Sequence, residues 1–215
     1  MKKNKTRKTL ILSVLFLGPL IFYIFLSLGI YHHANLPILT DKVEDVKGEA
    51  SFKNHFSVVS FLGTDVGNNK AGIFNLNEVI YKRYKKSLYF QAVLIAPVGT
   101  ELEVETLKKK LSTYRDIDNW RFVFMDADDI KSLFKSFDTP YVINQDLSSE
   151  YTFIIDRELR LRGRKDDEDT KGGRLYGYKT SSVNDLKNKM KKDLEIIYYQ
   201  LKKSIEKEKR FKRKI

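Results

Sequence analysis

The sequence contains no cysteine among its 215 residues. This excludes disulfide bonds, thiol redox chemistry and thiolate metal sites, because each requires a cysteine sulfur. Histidine is scarce, with three in the chain, and the neighbouring side chains of His32 and His33 do not converge on a common ligand. No Gly-x-Gly-x-x-Gly motif follows the first apolar strand pattern, so a dinucleotide site is not predicted. We therefore expect no enzymatic activity and no cofactor.

Positive and negative charges nearly balance in the body of the chain, and the net positive charge is concentrated at its two ends. The net charge is +12, of which residues 1–8 contribute +5 and residues 201–215 contribute +6, leaving about +1 for the remainder. A nearly neutral body lacks the basic face that nucleic acid requires, so no nucleic-acid partner is predicted. We interpret 1–8 as a basic cytoplasmic N-terminus. We interpret 201–215 as a basic C-terminal tail, whose end from Lys207 is expected to be disordered and can touch anionic lipid headgroups.

One long uncharged run, residues 9–31, follows the basic N-terminus. As a helix it would extend about 34 Å, which is enough to cross the bilayer core. More basic residues precede the run than follow it, which places the N-terminus in the cytoplasm. We therefore predict a single-pass anchor in the inner (plasma) membrane, with the domain on the extracytoplasmic, periplasmic side. Cleavage between Gly29 and Ala34 stays open as an alternative.

Alternating strand and helix patterns follow a predicted linker and N-terminal extension over 32–54. Over 55–200 the order is β-α-β-α-β-α-β-β-α, which implies parallel strands joined by right-handed crossovers. The closing hairpin and helix predict the α/β class, with a thioredoxin-like mixed sheet flanked by helices. The predicted strands are 56–62, 88–97, 120–125, 151–155 and 159–162.

The segment after the first strand, residues 63–74, is rich in glycine and asparagine. One interpretation is a tight loop whose residues adopt positive φ; the alternative is a polar-ligand or hard-cation site formed by Asp65, Asn68 and Asn69. Asn75 or Asn77 is then expected to cap the next helix. In a thioredoxin-like fold, the Thr139–Pro140 bond could be cis or trans.

Residues 151–163, Tyr-Thr-Phe-Ile-Ile-Asp-Arg-Glu-Leu-Arg-Leu-Arg-Gly, resemble a strand–turn–strand of the Sco/SenC family. The plan of an N-terminal anchor and an exported domain is similar too. That family comprises thioredoxin-fold copper chaperones of cytochrome oxidase assembly, whose ligands are a Cys-x-x-x-Cys loop and a distant histidine. The resemblance places Asp65 and Asn69 at the cysteine positions and Leu147 at the histidine position. Copper(I) requires soft donors, so the resemblance implies a degenerate member without copper.

Two functions follow from these patterns. The first is a non-catalytic module that binds a protein partner in the cell envelope. The alternative, implied by the resemblance, is an accessory factor in respiratory cytochrome oxidase assembly. Loops on a rigid scaffold often carry binding, and a heptad-like stripe on the last helix is expected to pass the edge of the domain. The candidate partner contacts are therefore Arg164, Lys165, Asp166 and Asp167 in a charged loop, and Ile197, Leu201 and Ile205 on the helix.

Overall fold

A seven-stranded mixed sheet forms the centre of the computed structural model, which describes residues 2–33, 35–46 and 48–212. Its order is β1-β6-β5-β2-β3-β4, with β7 also paired to β5. The β2–β3 and β3–β4 pairs are parallel, whereas β5 is antiparallel to β2 and β6. The predicted thioredoxin-like mixed sheet is thus confirmed. The strands are β1 Ile38–Thr40, β2 Phe56–Leu62, β3 Phe90–Pro97, β4 Trp120–Met125, β5 Ser148–Ile155, β6 Leu161–Arg162 and β7 Tyr178–Lys179.

Helices connect and flank the strands, as the alternating pattern predicts. A π-helical turn, Asn77–Tyr81, continues α2 into α3, and a second π-helical segment, Asp185–Met190, leads into α6. The last helix continues to Lys212, so the prediction of a disordered end from Lys207 is wrong over the described part. The helices are α1 Lys2–His33, α2 Val66–Leu76, α3 Lys82–Tyr84, α4 Glu101–Tyr114, α5 Ala127–Ser136 and α6 Lys191–Lys212.

Side-chain alternation along the strands gives the sheet two buried faces. On β2, Val59 and Phe61 pack toward α5, where Phe61 makes an edge contact with Phe134. On the opposite face, Phe56 contacts Tyr84 of α3 and Tyr198 of α6. Because both faces are covered by helices, β2 and β3 are buried at every position, which explains their continuous apolar sequences.

Residues 36–46 and 48–54 differ from the predicted linker. Ile38–Thr40 adds a strand to the sheet edge by pairing with β6. Val43 and Phe52 are buried in the core on the α5 face, because the chain wraps over that side of the sheet. Backbone packing accordingly divides the chain into two units, Leu36–Tyr198 and a second one formed by Met1–Asn35 with Tyr199–Ile215.

Helix α1 covers the predicted membrane span. Large apolar side chains from Ile11 to Leu26 are exposed along it, and Pro19 lies within it. Among the residues that the structure describes, no helix is both long and apolar enough to cross a membrane. The predicted span over 9–31 extends at both ends beyond the side chains that are described, 11–26.

Candidate functional site

The loop after β2 is three residues long, because the chain enters α2 at Val66. Gly63 has a φ of +71°, and a Cβ atom built on it would lie 2.7 Å from the carbonyl oxygen of Asp146. The next residue, Thr64, donates its backbone N–H to that same oxygen at 2.8 Å. A side chain at position 63 would therefore separate two segments that the backbone holds together.

Asp65 caps the N-terminus of α2. Its carboxylate accepts the backbone N–H of Asn68 at 3.2 Å and the Asn68 side-chain amide at 2.7 Å. The predicted loop is therefore correct over 63–65 and wrong over 66–74, and the predicted cap at Asn75 or Asn77 is wrong. Asn75 lies inside α2 and donates to the carbonyl of Thr180 at 3.1 Å. The N-cap at Asp65 overcomes the weak helix propensity of the glycine and asparagines that follow it.

Asn69, at the second of the predicted cysteine positions, connects α2 to the strand before it. Its side-chain Nδ2 donates to the carbonyl oxygen of Leu62, the last residue of β2, at 2.7 Å. The amide thus satisfies a backbone acceptor at the end of the strand, which would otherwise lack a partner where the chain leaves the sheet. Asn69 therefore has a structural role in holding the first turn of the helix.

Leu147, at the predicted histidine position, lies in a tight turn before β5. It has a φ of +66° and is 7% exposed, within the core on the α5 face. Its N–H donates to the carbonyl of Asn144 at 2.9 Å, and the neighbouring Asp146 carboxylate accepts from the Ser148 hydroxyl at 2.7 Å. The turn therefore satisfies its own polar groups. The Thr139–Pro140 bond, which precedes this turn, is trans.

The structure brings the segments with the three predicted positions together at the carboxyl end of β2. Ser148 pairs with Leu62 in the sheet, and the contact of Asp146 with Gly63 and Thr64 continues that pairing. We call residues 63–65 and 144–148 the ligand end, because the family's copper ligands would come from these segments and the start of α2. The resemblance thus matches the layout of the scaffold.

The residues at the ligand end do not fit copper(I). Asp65 offers a carboxylate, Asn69 an amide and Leu147 an aliphatic chain, whereas copper(I) selects thiolate and thioether donors. The oxygens of Asp65 and the amide nitrogen of Asn69 are also engaged in hydrogen bonds within the chain. Within residues 2–33, 35–46 and 48–212, no group of three or more histidine, aspartate or glutamate side chains is placed to hold a metal ion.

A shallow cleft of about 170 Å³ lies between α2 and α4. Pockets that enclose small-molecule ligands commonly measure about 300–1,000 Å³, so this cleft is small for a cofactor. Apolar contacts from Val66 and Leu107 form part of its lining, with Lys70, Glu103 and Lys110 beside them. Because the charges on its lining are mixed, the cleft does not favour one class of ligand.

Charged residues of the loop after β6 form a network with the final helix. Arg164 makes a two-point contact with Asp193 at 2.8 and 3.0 Å, and its guanidinium lies 3.5 Å from Asp167. Lys189 donates to Asp167 at 2.8 Å, and the Tyr178 hydroxyl donates to Asp193 at 2.7 Å. We call these five residues the Arg164 cluster. Three of them, Tyr178, Lys189 and Asp193, lie outside the sites that the sequence predicted.

The pKa values of the cluster reflect its burial. Burial and the charge of Asp193 raise the pKa of the Tyr178 hydroxyl well above its ordinary value. Burial also raises the pKa of Asp193, against the opposing hydrogen bonds from Arg164 and Tyr178. The pKa of Asp167 is lowered, because hydrogen bonds from Lys189 and Thr170 outweigh the effect of burial. Each buried charge therefore has an opposite charge beside it, as expected for a clamp between loop and helix.

The cluster corrects part of the predicted partner surface. Asp167 is 5% exposed and Arg164 is half-buried, so the expectation that they lie on a solvated loop is wrong. Their charges are used to fix the loop to the final helix. Lys165 and Asp166, from the same predicted set, are exposed.

The apolar stripe of the final helix is also more buried than predicted. Leu194 is fully buried, Ile197 is 5% exposed and Leu201 is 6% exposed. The expectation that Ile197 and Leu201 stand in water is therefore wrong. Ile205 is half-buried. A period of three and four residues identifies an apolar face, but it does not indicate which part of the chain covers that face.

No family model matches the chain, and no curated protein matches it. Among solved structures, the thioredoxin domain of a thiol-disulfide oxidoreductase from Bacteroides vulgatus is 18% identical with a TM-score of 0.40, covering 72% of this chain and 91% of that one. A thiol:disulfide interchange protein of the thioredoxin family from Chlorobium tepidum is 15% identical with a TM-score of 0.43, covering 72% and 97%. Copper-bound ScoI from Bradyrhizobium japonicum is 12% identical with a TM-score of 0.37, covering 66% and 87%.

These structural neighbours are thioredoxin-like and Sco proteins, the classes that the sequence resemblance predicts. The absence of cysteine from this chain agrees with a degenerate member. Because the TM-scores are below 0.5, the description of the fold rests on the strand order, the parallel crossovers and the antiparallel β5–β6 pair.

Proposed function

We propose that this protein is a membrane-anchored, extracytoplasmic thioredoxin-like module that binds a protein partner without thiol or copper chemistry. The ligand end carries this proposal. Asp65 caps a helix, Asn69 holds a strand end and Leu147 packs into the core, so each of the three positions serves the fold. The thioredoxin-like scaffold is present, while the cysteine and histidine side chains that would bind copper or carry out thiol chemistry are absent from these positions.

Helix α1 supports the anchor. Between Ile11 and Leu26 its large apolar side chains are exposed on all sides, which is unfavourable in water and favourable in lipid. Five basic residues precede the apolar run, in agreement with a cytoplasmic N-terminus. Alkaline carbonate washing should leave the protein in the membrane fraction, and protease added from the extracytoplasmic side should digest the domain. Quantitative release by carbonate would overturn the anchor.

Exposed apolar side chains near the ligand end support protein binding. Val98 and Leu102, which follow the carboxyl end of β3, are 59% and 78% exposed. Val142, in the segment that leads into the turn before β5, is 80% exposed. Strand register places the carboxyl ends of β2 and β3 side by side, so these residues border one end of the sheet. Aliphatic groups at this end offer an apolar surface to a partner.

A pull-down from detergent-solubilised membranes tests the binding role. The variant Leu102→Asp with Val142→Asp should capture less of the partner than the wild type, because it places charge on the proposed surface. Leu88→Asp is the matched control, since Leu88 is 87% exposed and lies before the opposite end of β3. Equal capture by all three proteins would refute a binding surface at this end.

A second candidate function is an accessory role in respiratory oxidase assembly without copper binding. The adjacency of residues 63–65 to the turn at 144–148 favours it, because this is the layout from which the Sco ligands come. Cells lacking the protein should then have reduced cytochrome oxidase activity, which the wild type restores and the Leu102→Asp with Val142→Asp variant does not. Unchanged oxidase activity in those cells would exclude this role.

A further inference from the structure

The C-terminal part of α6 belongs to the same unit as the N-terminal helix. Residues from Tyr199 onward group with Met1–Asn35, whereas α6 up to Tyr198 belongs to the domain. A hydrogen bond of 2.8 Å joins the Gln200 side-chain amide to the Asn35 side-chain oxygen. Asn35 follows the end of α1 by two residues, so this hydrogen bond lies close in sequence to the end of the proposed anchor.

This part of α6 is strongly basic. Residues 201–215 contain eight lysines and arginines and two glutamates, a net charge of +6. Lys203 and Lys207 are exposed, while Leu201 is buried and Ile205 is half-buried on the same helix. Because these apolar side chains are already covered, the face that remains open to a bilayer is the one occupied by lysines, as in a polybasic segment beside a membrane anchor.

We propose that α6 beyond Gln200 is an amphipathic basic helix that binds the anionic headgroups of the membrane holding α1. This inference rests on the proposed anchor, which brings Asn35 to the bilayer surface. The net charge of the segment favours binding to lipid over pairing with a second copy of the protein. A segment with a net charge of +6 is repelled by a second copy of itself and attracted by a negatively charged bilayer. The basic side chains also exclude insertion into the hydrocarbon core, which leaves the headgroup layer.

Lipid contact fixes the domain as well as the tail. The same helix continues back through Leu194 into the core of the Leu36–Tyr198 unit. A helix held by headgroups at one end and by the core at the other gives the domain a second attachment besides the chain that leaves α1.

A single labelled cysteine in the full-length protein tests the proposal, since the chain has none of its own. Ser204 is exposed, and Ser204→Cys can carry an environment-sensitive dye. The labelled protein is reconstituted into phosphatidylcholine vesicles with and without 30% phosphatidylglycerol, as about one lipid in three. Quenching by aqueous iodide should fall severalfold in the anionic vesicles, and high salt should restore it because salt screens the attraction.

Charge reversal provides the matched comparison. Lys203→Glu with Lys207→Glu should keep iodide quenching in anionic vesicles at its phosphatidylcholine value. Each basic residue near the surface is expected to change the equilibrium about fivefold. Lys86→Glu with Lys109→Glu makes the same change in net charge at exposed lysines of the domain, and it should retain the shielding. Equal quenching of the wild type in both vesicles would overturn the lipid contact.

Flotation of the same samples on a density gradient separates this inference from the anchor. Protein that floats with both vesicle types while its label stays open to iodide overturns the lipid contact and leaves the anchor standing. Protein that floats with neither overturns both. Shielding that depends on protein concentration and not on lipid charge would show pairing with a second copy, which also contradicts the proposal.

Discussion

The polar residues of the ligand end and those of the Arg164 cluster have different kinds of partner. At the ligand end, Asp65, Asn69 and Asp146 make short-range hydrogen bonds to nearby backbone and side chains, and no cation pairs with them there. In the Arg164 cluster, four ionisable groups and a tyrosine are brought together from the loop, β7 and the final helix. The comparison teaches that this chain uses buried charge to close its fold, away from the ligand end.

The largest loss of unfolding free energy is expected when the side chain of Arg164, at the centre of the cluster, is removed. Arg164→Ala leaves the Asp193 carboxylate buried without its two-point partner, which should cost about 3–5 kcal/mol of unfolding free energy. The exposed neighbour serves as control, and Lys165→Ala should stay within about 0.5 kcal/mol. Denaturant unfolding of the full chain in detergent, followed by the fluorescence of the single tryptophan, measures both. Equal stability of the two variants would show that the cluster is not a clamp.

At the ligand end, the largest loss of unfolding free energy is expected from a substitution of Gly63. Gly63→Ala must accept a positive φ and a clash with the Asp146 carbonyl, for a combined loss of about 2–4 kcal/mol. Gly48→Ala, with a φ of +78° and open space around its Cβ position, isolates the backbone term of about 1–2 kcal/mol. If Gly63→Ala and Gly48→Ala lower the unfolding free energy by the same amount, the contact between residue 63 and Asp146 does not contribute to stability.

Lowering the pH should change the stability contributions of Asp156 and of Asp193, in the Arg164 cluster, in opposite directions. Burial would raise the pKa of Asp156, but hydrogen bonds from Arg160 and Arg162 outweigh it and lower that pKa. Its contribution is therefore complete above the unfolded pKa of about 3.9 and is lost as pH falls through the folded pKa. The pKa of Asp193 is raised, so its contribution has the opposite sign and is lost as pH rises through its folded pKa.

Measured unfolding free energies should show this contrast. Asp156→Asn should lose about 1–3 kcal/mol at pH 7, because buried Arg162 loses a charged acceptor, and should lose less than the wild type on acidification. Asp193→Asn should remove a dependence of the opposite slope. Parallel pH profiles for the wild type and both variants would contradict the assignment of these carboxylates.

The smallest effect on the domain is expected from truncation after Gln200. The buried residues Leu186, Met190 and Leu194 remain, and the removed residues belong to the other compact unit. The unfolding free energy of the domain should change by less than about 1 kcal/mol, because the removed residues, including buried Leu201, group with residues 1–35 and not with Leu36–Tyr198. Unfolding of the domain on truncation would show that the end of α6 is required for its core.

The sequence predicted the central strands well, because β2 and β3 are buried on both faces and their apolar runs have one interpretation. The sequence-based prediction failed over 66–74. Glycine and asparagine suggested a loop there, whereas the carboxylate of Asp65 caps a helix that begins at Val66. The prediction also missed Tyr178 and Asp193, which lie 15 residues apart and meet only after the loop folds back on the helix. Long-range charge pairs of this kind leave no periodic signal in a sequence.

Copper(I) titration against a competing chelator tests the central claim, a thioredoxin-like scaffold without thiol or copper chemistry. The wild-type protein should take up no more copper(I) than an unrelated protein of equal charge, because its ligand end offers no soft donor. The variant Asp65→Cys with Asn69→Cys and Leu147→His should bind one equivalent, since the segments that carry these positions already meet at the end of β2. A stoichiometric copper site in the wild type would contradict the account.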